Sequence, residues 1–146
     1  MGLLEWEFIK KYNYDLTKIN VKIFFNNFRE LYLKYIYITP KEYSSRLKEV
    51  IIDYTKTNTS YIEQYLEEKD KAKIEYLKKL DLITKILDNL SFNEQTYMKD
   101  TFINNLNETI IREKLNVSRN GLNHIKQSAI IKFALAANLI ENRKGN

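Results

Sequence analysis

The sequence predicts an all-α protein: an N-terminal helical region followed by a C-terminal domain built on two short helices joined by a tight turn. Three observations carry that prediction. Only three Gly and one Pro interrupt 146 residues, so few positions break a helix. Apolar residues recur three and four apart along most of the chain, the spacing of one helix face. Near residues 108–133 this pattern is punctuated by turn and cap residues. A hydrophobic content of 44% with 29% charged residues is that of an ordinary globular chain and argues against long disordered linkers. The length suits one domain or a small module with an accessory helical region. The expected organisation is an aromatic-rich helical region at 1–58, a long connecting helix at 59–90 and a helix-turn-helix domain at 91–146.

Leu3 to Tyr12 reads as a short helix with Leu4, Trp6, Phe8 and Ile9 turned inward, and Asn13 to Asn20 as a break. Val21 to Ile38 carries Ile23, Phe24, Phe28, Leu31, Tyr32 and Tyr35 at helical spacing. Its end, Tyr35-Ile-Tyr-Ile, is β-branched and aromatic, so a strand stays open there. Thr39-Pro40 is a restart signal, a cap followed by Pro at the first helical position. Tyr43, Leu47, Val50, Ile51 and Tyr54 continue that helix until the polar run Thr55-Lys-Thr-Asn-Thr-Ser.

From Tyr61 to Asn89 nothing breaks the chain, which allows one helix of roughly 30 residues, about 45 Å long. Ile62, Tyr76, Ile83 and Leu90 share one seven-residue lattice and Leu66, Leu80 and Leu87 another, with Lys69 and Lys73 interrupting. Two readings follow: a core helix against the aromatic N-terminal half, or the seam of a homodimer. The tyrosines, concentrated before Leu77, likewise read as core, as a surface for a regulatory protein partner, or as a stacking platform for single-stranded bases.

Ser91-Phe-Asn-Glu94 has capping-box spacing and starts a helix that sends Met98, Phe102 and Ile103 toward a core. Glu108 to Leu115 forms the next, with Ile110, Ile111 and Leu115 on its apolar face. Asn116 suits the left-handed turn and Ser118 caps the helix that starts at Arg119 and runs to about Ala137. Leu122, Ile125, Ala129 and Phe133 then face a core, leaving Arg119, Asn120, Asn123, His124, Lys126 and Gln127 directed elsewhere, with side chains suited to a DNA groove. Gly121 inside this helix costs about 1 kcal/mol relative to Ala, a cost tolerated if backbone must approach DNA closely.

Charge agrees with a polyanionic partner. The chain carries a net +5, and residues 91–146 hold eight Lys/Arg against five Asp/Glu, whereas 60–90 hold six against seven. No apolar run reaches the roughly 18 residues of a membrane span, and Met-Gly-Leu-Leu-Glu-Trp-Glu lacks the basic start of a secretion signal. A cytoplasmic protein without membrane contact is expected. Absence of Cys removes disulfides, thiol redox chemistry and zinc-finger ligands. His124, the sole His, has neither a second ligand at helical spacing nor a nucleophile beside it. No phosphate loop or carboxylate pair is present, so neither an enzyme nor a metal or cofactor site is expected.

Leu115-Asn-Val-Ser-Arg-Asn-Gly-Leu-Asn-His-Ile-Lys-Gln-Ser-Ala-Ile resembles region four of bacterial sigma factors, where a Val-Ser/Thr-Arg turn leads into a helix ending in Ala-Leu. The resemblance spans about Leu87 to Phe133. The continuation Ala129-Ile-Ile-Lys-Phe-Ala-Leu-Ala-Ala-Asn-Leu-Ile is similar to the close of ArpU-type phage transcriptional regulators. That resemblance implies a phage- or prophage-encoded activator of late genes, working in the bacterial host cell on a double-stranded DNA promoter with host RNA polymerase. Carried over by position, it puts Arg119, Asn120 and His124 at base edges, with Asn123, Lys126 and Gln127 beside them. Arg can grip guanine and Asn adenine through paired hydrogen bonds. Ser118, Arg112 and Lys114 are placed to meet phosphates. Sigma proteins usually carry charged or long polar residues where this chain has Asn120 and Gly121, so the same promoter element is not expected. The alternative is a protein-interaction module that keeps the fold but binds polymerase or a regulatory protein without sequence-specific DNA binding. A further alternative for Arg119 is a surface ion pair with Glu113.

Overall fold

The computed structural model describes residues 3–37 and 59–143, with side chains described at 5–36 and 70–143. The fold is all-α. Helices α1 (Leu3–Ile9), α2 (Tyr14–Tyr37), α3 (Thr59–Asp88), α4 (Phe92–Met98), α5 (Glu108–Leu115) and α6 (Arg119–Ala137) follow one another, and a π-helical turn, Lys99–Ile103, extends α4. Extended backbone pairs only at the bridge Tyr12–Asn142 among the described residues. No helix among them is long and apolar enough to cross a membrane.

The chain forms two compact units, one of Met1–Asn26 with Asp81–Asn146 and one of Asn27–Leu80. The helix-turn-helix therefore shares its unit with α1 and the first half of α2, segments distant from it in sequence. At the centre lies the second half of α6, where Ser128, Ala129, Ile130, Ile131, Phe133 and Ala134 are all buried. A helix buried on nearly every side needs partners around it. Ile9, Val21, Phe25, Ile83, Ile86, Leu87, Tyr97, Met98, Phe102 and Ile111 supply them. Phe25 stacks on Phe102 with centroids 4.9 Å apart and tilts against Phe133 at 5.1 Å.

The expected break at Asn13–Asn20 is corrected. Helix α2 begins at Tyr14 because Asn13 caps it: its side-chain oxygen accepts from the Leu16 amide at 3.1 Å and its carbonyl from the Thr17 amide at 3.0 Å. Thr17 then faces the core with Val21 and Phe25. Ile23, expected inward, is 51% exposed, two residues before Phe25 and so on the opposite side of the helix. Phe8 likewise turns outward, edge-on to Tyr12, while Ile9 is buried. Ile103 is exposed, off the face that buries Met98 and Phe102, in a π turn where the Asn104 amide donates to the Lys99 carbonyl, five residues back, at 2.9 Å. Ile110 is exposed too, while Ile111, the next residue around α5, is fully buried. Tyr35 to Tyr37 is helical rather than extended. The restart at Thr39-Pro40 and the helix through Tyr43 to Tyr54 lie outside the described residues.

In the second unit, Tyr76 of α3 stacks on Phe28 at 5.2 Å and Tyr35 at 5.6 Å, with Tyr32 tilted against it. These tyrosines pack on one another within the chain. Ile74 and Leu77 are exposed there. On the two seven-residue lattices of α3, Ile83 and Leu87 enter the core of the first unit, and Leu80 remains partly exposed.

Candidate nucleic-acid interface

Local sequence builds the turn. Asn107 caps α5, accepting from the Ile110 amide at 3.0 Å. Asn116 ends it in the left-handed conformation, φ 55° and ψ 49°, and its amide donates to the Glu113 carbonyl as the Val117 amide reaches back to Arg112. Ser118, extended, accepts from the Gly121 amide at 3.0 Å and starts α6. A Cβ on Gly121 would meet Ser118 Oγ at 3.3 Å and Val117 Cβ at 3.4 Å. The missing side chain thus accommodates the turn itself, in addition to any approach by DNA.

The first half of α6 presents polar side chains to solvent, and the last turn is exposed at Leu135 and Ala136. Arg119, Asn120 and Asn123 are exposed and, with Glu108, Leu122 and Lys126, line a cleft of about 270 Å³. Arg112 and Ser118 line another, about 480 Å³, with Thr109, Glu113, Asn116 and Val117. Arg112 is half-buried, its Nε enclosed and without an acceptor among the described residues. Gln127 belongs to a further cleft, shared with Asn13, Tyr14, Asp15 and Arg143. His124 packs its ring against Trp6 of α1 at 4.4 Å. The residues expected to act together are therefore split: Arg119, Asn120, Asn123 and Lys126 share one cleft, Arg112 and Ser118 the next, while Gln127 and His124 face N-terminal segments. Ion pairs among the described residues do not include one between Arg119 and Glu113.

Two of the cations expected to face DNA, Lys114 and Lys126, are already engaged. Lys114 Nζ donates to the buried Asp100 carboxylate at 3.0 Å, though its side chain stays 55% exposed. Asp100 also accepts from Asn104 at 3.1 Å within the π turn, so the Lys114 pair ties that turn to α5. Lys126 Nζ donates to Glu108 Oε1 at 2.7 Å. Burial and then the neighbouring Lys126 push the Lys18 amino group down to about 8. The Lys126 hydrogen bond holds the Glu108 carboxyl below its ordinary value. The Tyr14 hydroxyl is buried in this cluster without a partner among the described residues, and burial raises its pKa well above the usual phenol value.

Beneath the helix, Glu94 forms the second polar knot. Its carboxylate accepts from the Ser91 amide at 3.0 Å, from the Ser128 hydroxyl and from Lys132 Nζ, and Lys132 also pairs with Glu5 of α1. Burial alone would raise the Glu94 carboxyl, but these donors bring it below its ordinary value. The capping box was legible; Ser128 shows in sequence only as a polar residue inside an apolar run. Glu108, Lys18 and Trp6 carry no local signal, because each meets α6 from another segment.

Among the described residues no three His, Asp or Glu side chains gather at metal-binding distance. Comparison of the chain with protein-family models, with curated proteins and with solved structures finds no match.

Proposed function

We propose that this chain is a DNA-binding transcriptional regulator of the ArpU type, encoded by a phage or prophage, that activates late genes together with host RNA polymerase. One observation supports it most: α6 is fixed by its buried second half and presents Arg119, Asn120 and Asn123 outward from a capped turn. A rigid element can present side chains to base edges with little backbone ordering on docking. In this reading Arg119 and the two asparagines enter a major groove, Ser118 and Arg112 meet the flanking phosphates, and Lys126 adds charge from the same cleft. His124, exposed beside Asn123 with its ring against Trp6, reaches a base edge from that contact, and Gln127 contributes from its cleft beside Asn13 and Tyr14.

Genome-wide footprinting in the host tests the biological role. Enrichment upstream of virion-assembly or lysis genes is expected, and absence of enrichment anywhere would sink it. A second reading, an interaction module for polymerase or a regulatory protein, is favoured by one feature. Leu16, Ile19 and Ile23 form an exposed apolar stripe on α2, Ile19 and Ile23 each 51% exposed. Binding to purified polymerase with no preference among fragments of the chain's own genome would decide for it.

A further inference from the structure

The cleft along the exposed face of α6 contains an acidic residue where a DNA-binding surface should repel one. Glu108, the first residue of α5, lies in the same cleft as Arg119, Asn120, Asn123 and Lys126. Its partner Lys126 is anchored, with a side chain only 17% exposed, while Glu108 itself is 57% exposed. The ammonium is built into the fold and the carboxylate rests on it from solvent. Lys18 of α2 lies close enough to Lys126 and Glu108 to act electrostatically on both, so two amino groups converge where one carboxylate answers them. That excess is felt: Lys18 is pushed down by burial and by its neighbour. The buried Tyr14 hydroxyl, a donor with no acceptor among the described residues, belongs to the same cluster.

We propose that Lys18 and Lys126 form an oxyanion site that Glu108 fills in the free protein and that a backbone phosphate of double-stranded DNA takes over on binding. The inference rests on the DNA-binding reading above and adds to it a displacement step. A phosphate diester offers two anionic oxygens and can accept from both amino groups, whereas Glu108 is bonded to Lys126 through one oxygen. Once displaced, the carboxylate needs no new partner, because its position on the surface returns it to water. Glu108 thereby acts as an internal competitor that lowers affinity for all DNA equally and leaves discrimination to Arg119 and the asparagines.

Binding of the full chain to a mixed-sequence duplex over a salt series tests this without knowledge of the operator. Glu108→Gln is expected to bind about three- to tenfold tighter at low salt. Lys126→Gln should bind more weakly, with a log–log salt slope shallower by about one. The gain from Glu108→Gln should vanish in the Lys126→Gln background, because the carboxylate acts through that ammonium. If Lys126→Gln fails to fold, as a thermal melt would reveal, Lys18→Gln takes its place in the cycle. Steeply salt-dependent binding by the wild-type chain with no gain in Glu108→Gln would overturn the displacement step and leave the DNA-binding reading standing. A gain that persists undiminished in the double variant would also overturn it, since a general charge effect would then suffice. No duplex binding by either protein would overturn the DNA-binding reading itself. Inorganic phosphate is expected to compete with the duplex for Glu108→Gln, and phosphate binding that leaves duplex affinity unchanged would overturn the assignment of the site to DNA.

Discussion

Glu94 shows how one buried carboxylate joins segments distant in sequence. It accepts from α4's own cap residue, from Ser128 at the centre of α6 and from Lys132, which also holds α1. Glu94→Gln keeps the shape but loses the charge these donors face, and should cost about 2 kcal/mol in chemical denaturation. The carboxyl is held below its ordinary 4.5, so its contribution is full at neutral pH and is lost as pH falls below 4.5 through the lower folded value. The wild-type melting temperature should therefore drop on acidification, and Glu94→Gln should lack that component. On the exposed side, Arg119→Ala should weaken binding to a preferred site by about 1–3 kcal/mol while nonspecific binding falls less. Equal loss on all sequences, read by competition with random duplex, would remove Arg119 as a base reader. Legibility at this scale divides by range. Asn116, Ser118 and Leu122 were readable because their roles are set by residues within four positions. His124 and Lys126 were not, because Trp6 and Lys18 approach them from segments more than 100 positions away.

Among the elements, the turn between α5 and α6 has the fewest substitutes. Asn116 sits at φ 55°, where a β-branched residue is strained. Asn116→Val should destabilise by about 1–2 kcal/mol, whereas Asn116→Gly should be tolerated, a contrast that thermal melts measure directly. A Val as well tolerated as Gly would mean the turn does not hold this conformation. The helices themselves were legible from apolar spacing and caps, α4 most fully because its capping box is entirely local. Their orientation was less so. The π turn has no sequence signature, and Ile103 within it lies at the surface beside the buried Phe102. Asn13 looked like a breaker because the side chain that disfavours a helix interior here caps the start of α2.

For the whole molecule, the main departure from the sequence reading concerns which segments fold together. The helix-turn-helix does not carry its own core: Phe25 stacks on Phe102 and leans on Phe133, and Val21 and Ile9 close the same interior. Truncating any such buried aromatic typically costs about 3–5 kcal/mol, and losing α1 and the first half of α2 removes several contacts at once. A fragment of residues 81–146 should therefore show helical circular dichroism without a cooperative melt, and adding a peptide of residues 1–26 should restore cooperativity. A fragment that melts cooperatively alone would show that α6 closes its core without α2. Periodicity could not reveal this dependence, because it reports which face of a helix is apolar and not which partner covers it.

The clasp at Tyr12–Asn142 carries a consequence for how the protein is made. Asn13 donates to the Glu141 carbonyl, Glu141 in turn to Thr17, and Asn20 to the Leu139 carbonyl 119 positions away. During translation these early residues emerge first and must wait for their partners, on the order of ten seconds at ordinary elongation rates. Val21 and Phe25 stay uncovered through that interval, open to chaperones and proteases. The clasp itself can close only after residue 142 has been added, so a nascent chain stalled short of it holds every residue of the turn and still leaves the start of α2 unpinned.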